Sequence, residues 1–435
     1  MFHLLACLQP YDPDPETLRE LAIDRDGTTL STITPSSTLR LGTQSAATSD
    51  QLIGGAPSET GLGSAVLAKG DKVVVAGHAA DAGGNAAGGV WVFDSPSTVG
   101  KARLALLGPG SSDAGAALAL ADLDGDGLDE LAIGGPLDDA RHGAVWLIDA
   151  ESAGQLDLDA ATPLLGERSS LFGRALATGD TDGDGLVELL VGAPGADSGR
   201  GAVFLYEQGI ESAAASGRRS WERLGEAVLL ADLDGDGLDE LVAGVPFEDA
   251  SSGEEVGGVY VWSRPSASLA PWTADAALRG SANDHRAGTS LTAGDVDGDG
   301  ADDLLIGSPG HRDVGAVHLV LAPLPDRLDL AHADLRVTGL VADEDFGAAI
   351  AATDIDGSGA ADLVIGSPHL VGRGAVHIWL DPATSGTSWA ADVRIAGAAT
   401  DDWFGTALAA DASVLVVGAP GAGAEERGRG YLWTW

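Results

Sequence analysis

Asp122, Asp124, Asp126 and Glu130 place four carboxylates within nine positions of the segment DLDGDGLDE. The three aspartates alternate, so their side chains can turn to one side of a loop. Gly127 permits a sharp turn, the backbone carbonyl of Leu128 can point inward, and Glu130 closes the ring. Hard oxygens on a flexible loop suit Ca²⁺, which takes roughly six to eight of them, whereas Mg²⁺ demands a tighter octahedron and keeps more of its water. The spacing recurs four times, as Asp180, Asp182, Asp184, Leu186 and Glu188; Asp232, Asp234, Asp236, Leu238 and Glu240; Asp295, Asp297, Asp299, Ala301 and Asp303; and Asp354, Asp356, Ser358, Ala360 and Asp362. Up to five calcium ions are therefore expected. The neutral Ser358 makes the fifth loop the weakest. Asp-Gly pairs also make good hairpin turns, but a turn needs one such pair, not four mutually repelling carboxylates.

No catalytic constellation accompanies these loops. The chain has no Gly-x-Ser-x-Gly elbow, no His-Glu-x-x-His and no phosphate-cradling glycine loop followed by Lys-Ser/Thr. His318 and His377 occupy corresponding places in strand-like runs and read as packed residues. Trp91, Trp146, Trp262, Trp379 and Trp433 fall in the same runs. Trp221, Trp272, Trp389 and Trp403 lie in or near connections, where an exposed ring could stack on a sugar and a covered one would pack between units. The expectation is a protein that binds and does not catalyse.

The elements that position the loops repeat with them. The first aspartates, Asp122, Asp180, Asp232, Asp295 and Asp354, are 58, 52, 63 and 59 residues apart. Each unit opens with a short apolar stretch, such as GRALAT from Gly173, often after an aromatic-glycine pair: Phe172-Gly173, Phe346-Gly347 or Phe404-Gly405. After the acidic loop comes a β-branched run ending in Gly-x-Pro, then a glycine-started run such as GAVFLY from Gly201, then a fourth stretch such as LRVTGL from Leu335. Short runs punctuated by Gly and Pro are strand signals, and four per unit make one antiparallel sheet. Two further units, from Gly61 and from Trp403, replace the acidic loop by a tight turn at Gly70-Asp71 or Asp411-Ala412. The fold expected is all-β, a seven-bladed β-propeller of four-stranded blades. The last unit stops at Trp435 after its third strand, and residues 38–43 are expected to supply the missing fourth and close the ring.

The bulk composition agrees. Across 435 residues, 44% are apolar, 63 are glycine and the net charge is −42. Such a chain repels nucleic acid and anionic lipid. Cys7 is the only cysteine, so no internal disulfide forms, and no apolar run reaches the length of a membrane span. Leu4-Leu5-Ala6-Cys7 resembles the lipobox of bacterial lipoproteins, although the preceding residues lack the charge and apolar length of a full signal. Residues 1–36 are thus expected to be a lead or tether and 37–435 the propeller. Any membrane contact would run through a lipid anchor at Cys7, placing the protein outside the cell or on its surface as a monomer, for example as an outer-membrane lipoprotein.

Phe-Gly, then Asp-x-Asp-x-Asp-Gly-x-x-Asp/Glu, then Gly-Ala-Pro, repeated at one period, resembles the FG-GAP repeat of the integrin α-subunit propeller. The likeness covers about residues 38–435. Phe172-Gly173 with Gly192-Ala193-Pro194, and Phe404-Gly405 with Gly418-Ala419-Pro420, carry the motif in full, while Gly307-Ser308-Pro309 and Gly366-Ser367-Pro368 drift. The resemblance implies a calcium loop whose ninth residue is acidic. An EF-hand would place glutamate at the twelfth position, where this chain has Ile133. It also implies that ligands bind the face opposite the calcium loops. The chain lacks the leg domains, disulfides and inserted domain of integrins, so their ligand specificity does not carry over. The expected function is calcium-dependent adhesion or ligand binding, to protein or glycan; a lectin with pockets between blades, or an enzyme using the central funnel, would be the alternatives.

Overall fold

The computed structural model describes residues 42–45, 51–54, 61–77, 87–94, 102–138, 142–249, 255–263, 274–281, 285–382, 391–422 and 428–434. Cys7 and the whole N-terminal lead, Trp272 and Trp389 lie outside them.

Seven antiparallel sheets follow one another along the chain. Blade 1 comprises Ala65–Lys69, Lys72–Gly77, Gly89–Asp94 and Leu104–Leu107. Blade 2 is Ala117–Ala121, Glu130–Gly135, Ala144–Asp149 and Leu164–Leu165; blade 3 is Ala175–Gly179, Glu188–Ala193, Ala202–Glu207 and Ile210–Ser216. Blade 4 is Val228–Ala231, Glu240–Gly244, Gly258–Trp262 and Ala276–Arg279; blade 5 is Ser290–Gly294, Asp303–Ser308, Ala316–Val320 and Leu335–Thr338. Blade 6 is Ile350–Thr353, Asp362–Ser367, Ala375–Trp379 and Val393–Ala396, and blade 7 begins with Ala407–Asp411, Val414–Ala419 and Arg429–Thr434. The first strands contact one another in a closed cycle, blade 7 touching blade 1. Among the described residues there is no helix long and apolar enough to cross a membrane.

The β-branched second strands explain the layering. Glu188–Ala193, Asp303–Ser308 and Asp362–Ser367 are buried at every residue, because each blade is covered on both faces by its neighbours. Seven apolar clusters result among the described residues, each shared by two adjacent blades and the last joining blades 7 and 1 through Val416, Leu432, Val75 and Trp91. Burial of apolar side chains at about 25 cal/mol per Å² is thus spent on joining blades, since a blade alone would leave both faces wet.

The recurring glycines sit at the seams. Gly143, which starts the third strand of blade 2 at φ +83°, bridges to Phe172 of blade 3, and a Cβ there would overlap the Phe172 backbone. Equivalent bridges join every consecutive pair of blades, ending with Gly428 to Leu62. The Phe-Gly motif is therefore half of an inter-blade joint.

Closure uses a different strand from the one expected. Gln51–Gly54 pairs antiparallel with Arg429–Thr434 and completes blade 7. Gly42–Ser45, which overlaps the expected 38–43, instead lies parallel to Val393–Ala396 as a fifth strand on blade 6. Two internal segments do the same: Gly154–Asp157 joins the outer edge of blade 1 and Arg327–Asp329 that of blade 4, each just before the chain enters its own fourth strand. In these three places the run before a fourth strand covers the previous blade's outer edge, which otherwise exposes unpaired backbone groups.

Candidate metal centres

Each acidic loop joins the first and second strands of a blade, in blades 2 to 6. The first aspartate organises the turn. Asp122 Oδ1 accepts the N–H groups of Gly125 and Asp126 at 2.8 and 3.1 Å, and Oδ2 accepts that of Gly127 at 2.9 Å. Asp232, Asp295 and Asp354 accept the equivalent three bonds, and Asp180 those from Gly183 and Gly185. Asp124 and Asp126 each accept the N–H two residues on, at 3.1 and 2.8 Å. The carboxylates therefore do shape the turn, as side chains of this type commonly do.

They also converge. Carboxylate oxygens lie within 4.8 Å of one another in Asp122, Asp124 and Glu130; in Asp180, Asp182 and Asp184; in Asp232, Asp234 and Glu240; in Asp295, Asp297 and Asp299; and in Asp354, Asp356 and Asp362. The ninth acid thus joins the group in three loops and the third aspartate in the other two. In the fifth loop the Ser358 hydroxyl donates to Asp381 Oδ1 at 2.6 Å, bringing in a carboxylate from beyond the third strand. The side chains of Leu186, Leu238 and Ala301 reach the preceding loop, where a Cβ on Gly125, Gly183 or Gly235 would lie 2.8, 2.8 or 3.4 Å from them.

The ninth acid divides its two oxygens. Glu188 Oε2 accepts from Thr181 N–H at 2.7 Å and from the Thr181 hydroxyl at 2.8 Å. Its Oε1 is buried without a hydrogen-bond partner. A buried carboxylate oxygen left unpaired is costly, and a cation at the loop centre would supply the missing partner. Glu130, Glu240, Asp303 and Asp362 likewise tie one oxygen to the N–H of the loop's second residue. Burial pushes all five acids up, with nearby loop aspartates adding to the effect: Glu240 to about 7, Asp303 and Asp362 to about 6. The donor set is all oxygen, flexible and crowded with like charge, which fits calcium.

Elsewhere His318 is buried with Nδ1 3.1 Å from the Leu330 carbonyl, and His377 is buried and stacked on Trp379, both as packed strand residues. Burial holds them down, to about 4 and about 3. Trp221 is 75% and Trp403 42% exposed, both in connections at the end of the blades opposite the acidic loops. Sequence reasoning missed a buried histidine pair, with the Nδ1 atoms of His285 and His311 3.1 Å apart, and the network in which Tyr260 donates to Glu248 at 2.6 Å beside Arg279. Both are built from polar residues that the other repeats do not carry at the same places, so periodicity does not reveal them.

The FG-GAP repeat family matches residues 114–148, 172–206, 224–262 and 287–320, the first to third strands of blades 2 to 5. Integrin alpha-PS2 of Drosophila melanogaster is 30% identical over 212 residues, covering 46% of this chain and 15% of its own. Integrin alpha-IIb of Homo sapiens is 28% identical over 233 residues, covering 51% and 22%. Phosphatidylinositol-glycan-specific phospholipase D of Rattus norvegicus is 37% identical over 154 residues, covering 30% and 18%. The chain thus spans less than a quarter of the length of each. Among solved structures, the biofilm matrix protein Bap1 of V. cholerae aligns with 61% of this chain and 37% of its own, at 16% identity and a TM-score of 0.34.

Proposed function

We infer that this chain, a seven-bladed propeller built on FG-GAP repeats and resembling the integrin α-subunit propeller, is a calcium-stabilised, non-catalytic binding module that works outside the cell or on its surface. The observation that supports it most is the convergence of three carboxylates in each of the five loops, with Glu188 Oε1 buried and unpartnered near Asp180 and Asp182. Asp180, Asp182, Asp184 and Glu188 would hold one ion, with the Leu186 carbonyl; the other four loops would use the corresponding residues. A bound cation supplies charge neutralisation and rigidity there. The loops themselves fix each first aspartate through backbone N–H groups, so the donors are gathered before an ion arrives. Extracellular modules of this type bind calcium at roughly 10⁻⁴–10⁻³ M, which favours an exported protein, with Cys7 as a candidate lipid anchor.

Ligand binding falls to the opposite face, where the second-to-third loops and the connections between blades emerge. A protein ligand is the first reading. A glycan is the second, favoured by Trp221, which is 75% exposed while its Cε3 would lie 3.3 Å from a Cβ at Gly199. An exposed ring of this kind can stack on a sugar. Capture from intact cells and extracellular matrix, with calcium and with chelator, tests the reading. Calcium-dependent retention of a surface component, weakened by Trp221→Ala or Trp403→Ala, is expected; retention by neither form of the protein would overturn it. A glycan array then separates the two ligand classes.

A further inference from the structure

The acidic loops are bonded to one another. The Asp180 carbonyl in blade 3 accepts the Asp239 N–H of blade 4 at 2.8 Å, the Asp232 carbonyl accepts the Asp302 N–H of blade 5 at 2.8 Å, and the Asp295 carbonyl accepts the Ala361 N–H of blade 6 at 2.7 Å. In each case the first aspartate of one loop receives the eighth residue of the next. Between blades 3 and 4 the bond is reciprocal, because Asp239 Oδ2 also accepts the Asp180 N–H at 2.8 Å. Gly179 makes room for it, since a Cβ there would overlap Asp239 Oδ2. Blade 2 meets blade 3 through Leu186 against Gly125. At the start of the series, blade 1 has no acidic loop but contributes Lys69, whose Nζ donates to the Leu120 carbonyl at 3.1 Å and to Asp129 Oδ1, the eighth residue of blade 2's loop, at 2.8 Å.

We propose that the five loops form one belt in which cation binding is cooperative, with Asp239 as a positioning residue between two centres and Lys69 as a permanent cation at the end. The first aspartate is at once the main organiser of its own loop and the anchor of the next. Fixing it in one loop fixes the neighbour's eighth residue, and hence the adjoining ninth acid. The second centre then has less ordering left to do, which is positive coupling without any large movement. The backbone N–H of the eighth residue makes the recurring bond whatever its side chain, as at Ala361, and only between blades 3 and 4 does the side chain, that of Asp239, add a second bond.

This inference rests on the calcium reading, and a calcium titration followed by calorimetry separates the two. Wild-type protein is expected to take up calcium with a Hill slope above one. Asp239→Ala, which alters no proposed ligand, should lower that slope and shift part of the uptake to about five-fold higher calcium, the lower end of typical coupling between sites. Asp239→Asn should restore it, because the amide oxygen still accepts the Asp180 N–H. Removing a central site by Asp182→Ala should weaken the remaining sites more than removing an end site by Asp356→Ala. Uptake with a slope of one in the wild type overturns the belt while leaving the calcium centres standing, and that result depends on no variant folding. No uptake at all overturns both.

Discussion

The ninth acid of each loop has one oxygen tied to the loop's own backbone, and in Asp303 and Asp362 the other accepts the N–H of Ala322 and Asp381, respectively. For Glu188 the second oxygen has no partner, so the side chain is stabilised only when something positive lies beside it. Asp182→Ala is therefore expected to reduce calcium stoichiometry by one, measured by calorimetry, while Asp356→Ala should cost less stability because Ser358 already lacks a carboxylate. The pH dependence follows from two opposed sets of groups. Glu240, Asp303 and Asp362 are raised by burial in the metal-free loops, so their contribution is present below the ordinary carboxylate range and is lost as pH rises through about 6 to about 7. The gain in melting temperature on adding calcium should accordingly grow between about pH 5 and about pH 7.5; a constant gain would contradict it. His318, facing Arg336, His285 and Asp329, and His377, facing Arg394, are depressed from 6.5. Their contribution is complete above that value and is lost as pH falls toward about 4 and about 3, so a calcium-independent acid limb is expected. The loop carboxylates were legible in the sequence because their side chains repeat. The contacts of Asp239 and Asp302 were not, since a backbone N–H carries the link and the eighth residue varies.

Gln51–Gly54 shows how an element can hide. It has the spacing of a fourth strand: Gly55 and Gly63 are eight apart, like Gly339 and Gly347 or Gly397 and Gly405. Residues 38–43 share only a local apolar alternation with Val393–Ala396, and the overlapping Gly42–Ser45 pairs alongside that very strand. Distance to the next seam glycine, set by the bridge it must make, was the better signal. Strand number and order, by contrast, were readable, because every blade is bounded by glycines that the seams require. Removing residues 1–45 should therefore cost only the fifth strand of blade 6 and leave a monomer. Removing residues 1–54 strips the partner from Arg429–Thr434 and should produce aggregation, as an open edge does. Size-exclusion chromatography with thermal melting distinguishes the two, and equal behaviour would argue against Gln51–Gly54 as the closing strand.

At the scale of the whole molecule, seven apolar layers hold the ring from within and five acidic loops line one of its ends. With a net charge of −42, the chain gathers much of its repulsion where the loops touch each other. A ligand that binds only the folded state stabilises it by about 2.7 kcal/mol per site at 100 times its dissociation constant, so several filled loops should outweigh any single packing change. The most direct measurement is differential scanning calorimetry of the full chain in millimolar calcium and in chelator, paired with a calcium-binding titration. Uptake of several ions, with melting raised by many degrees and magnesium substituting poorly, is the expected result. No uptake and identical melting curves would mean that the acidic loops are turns alone.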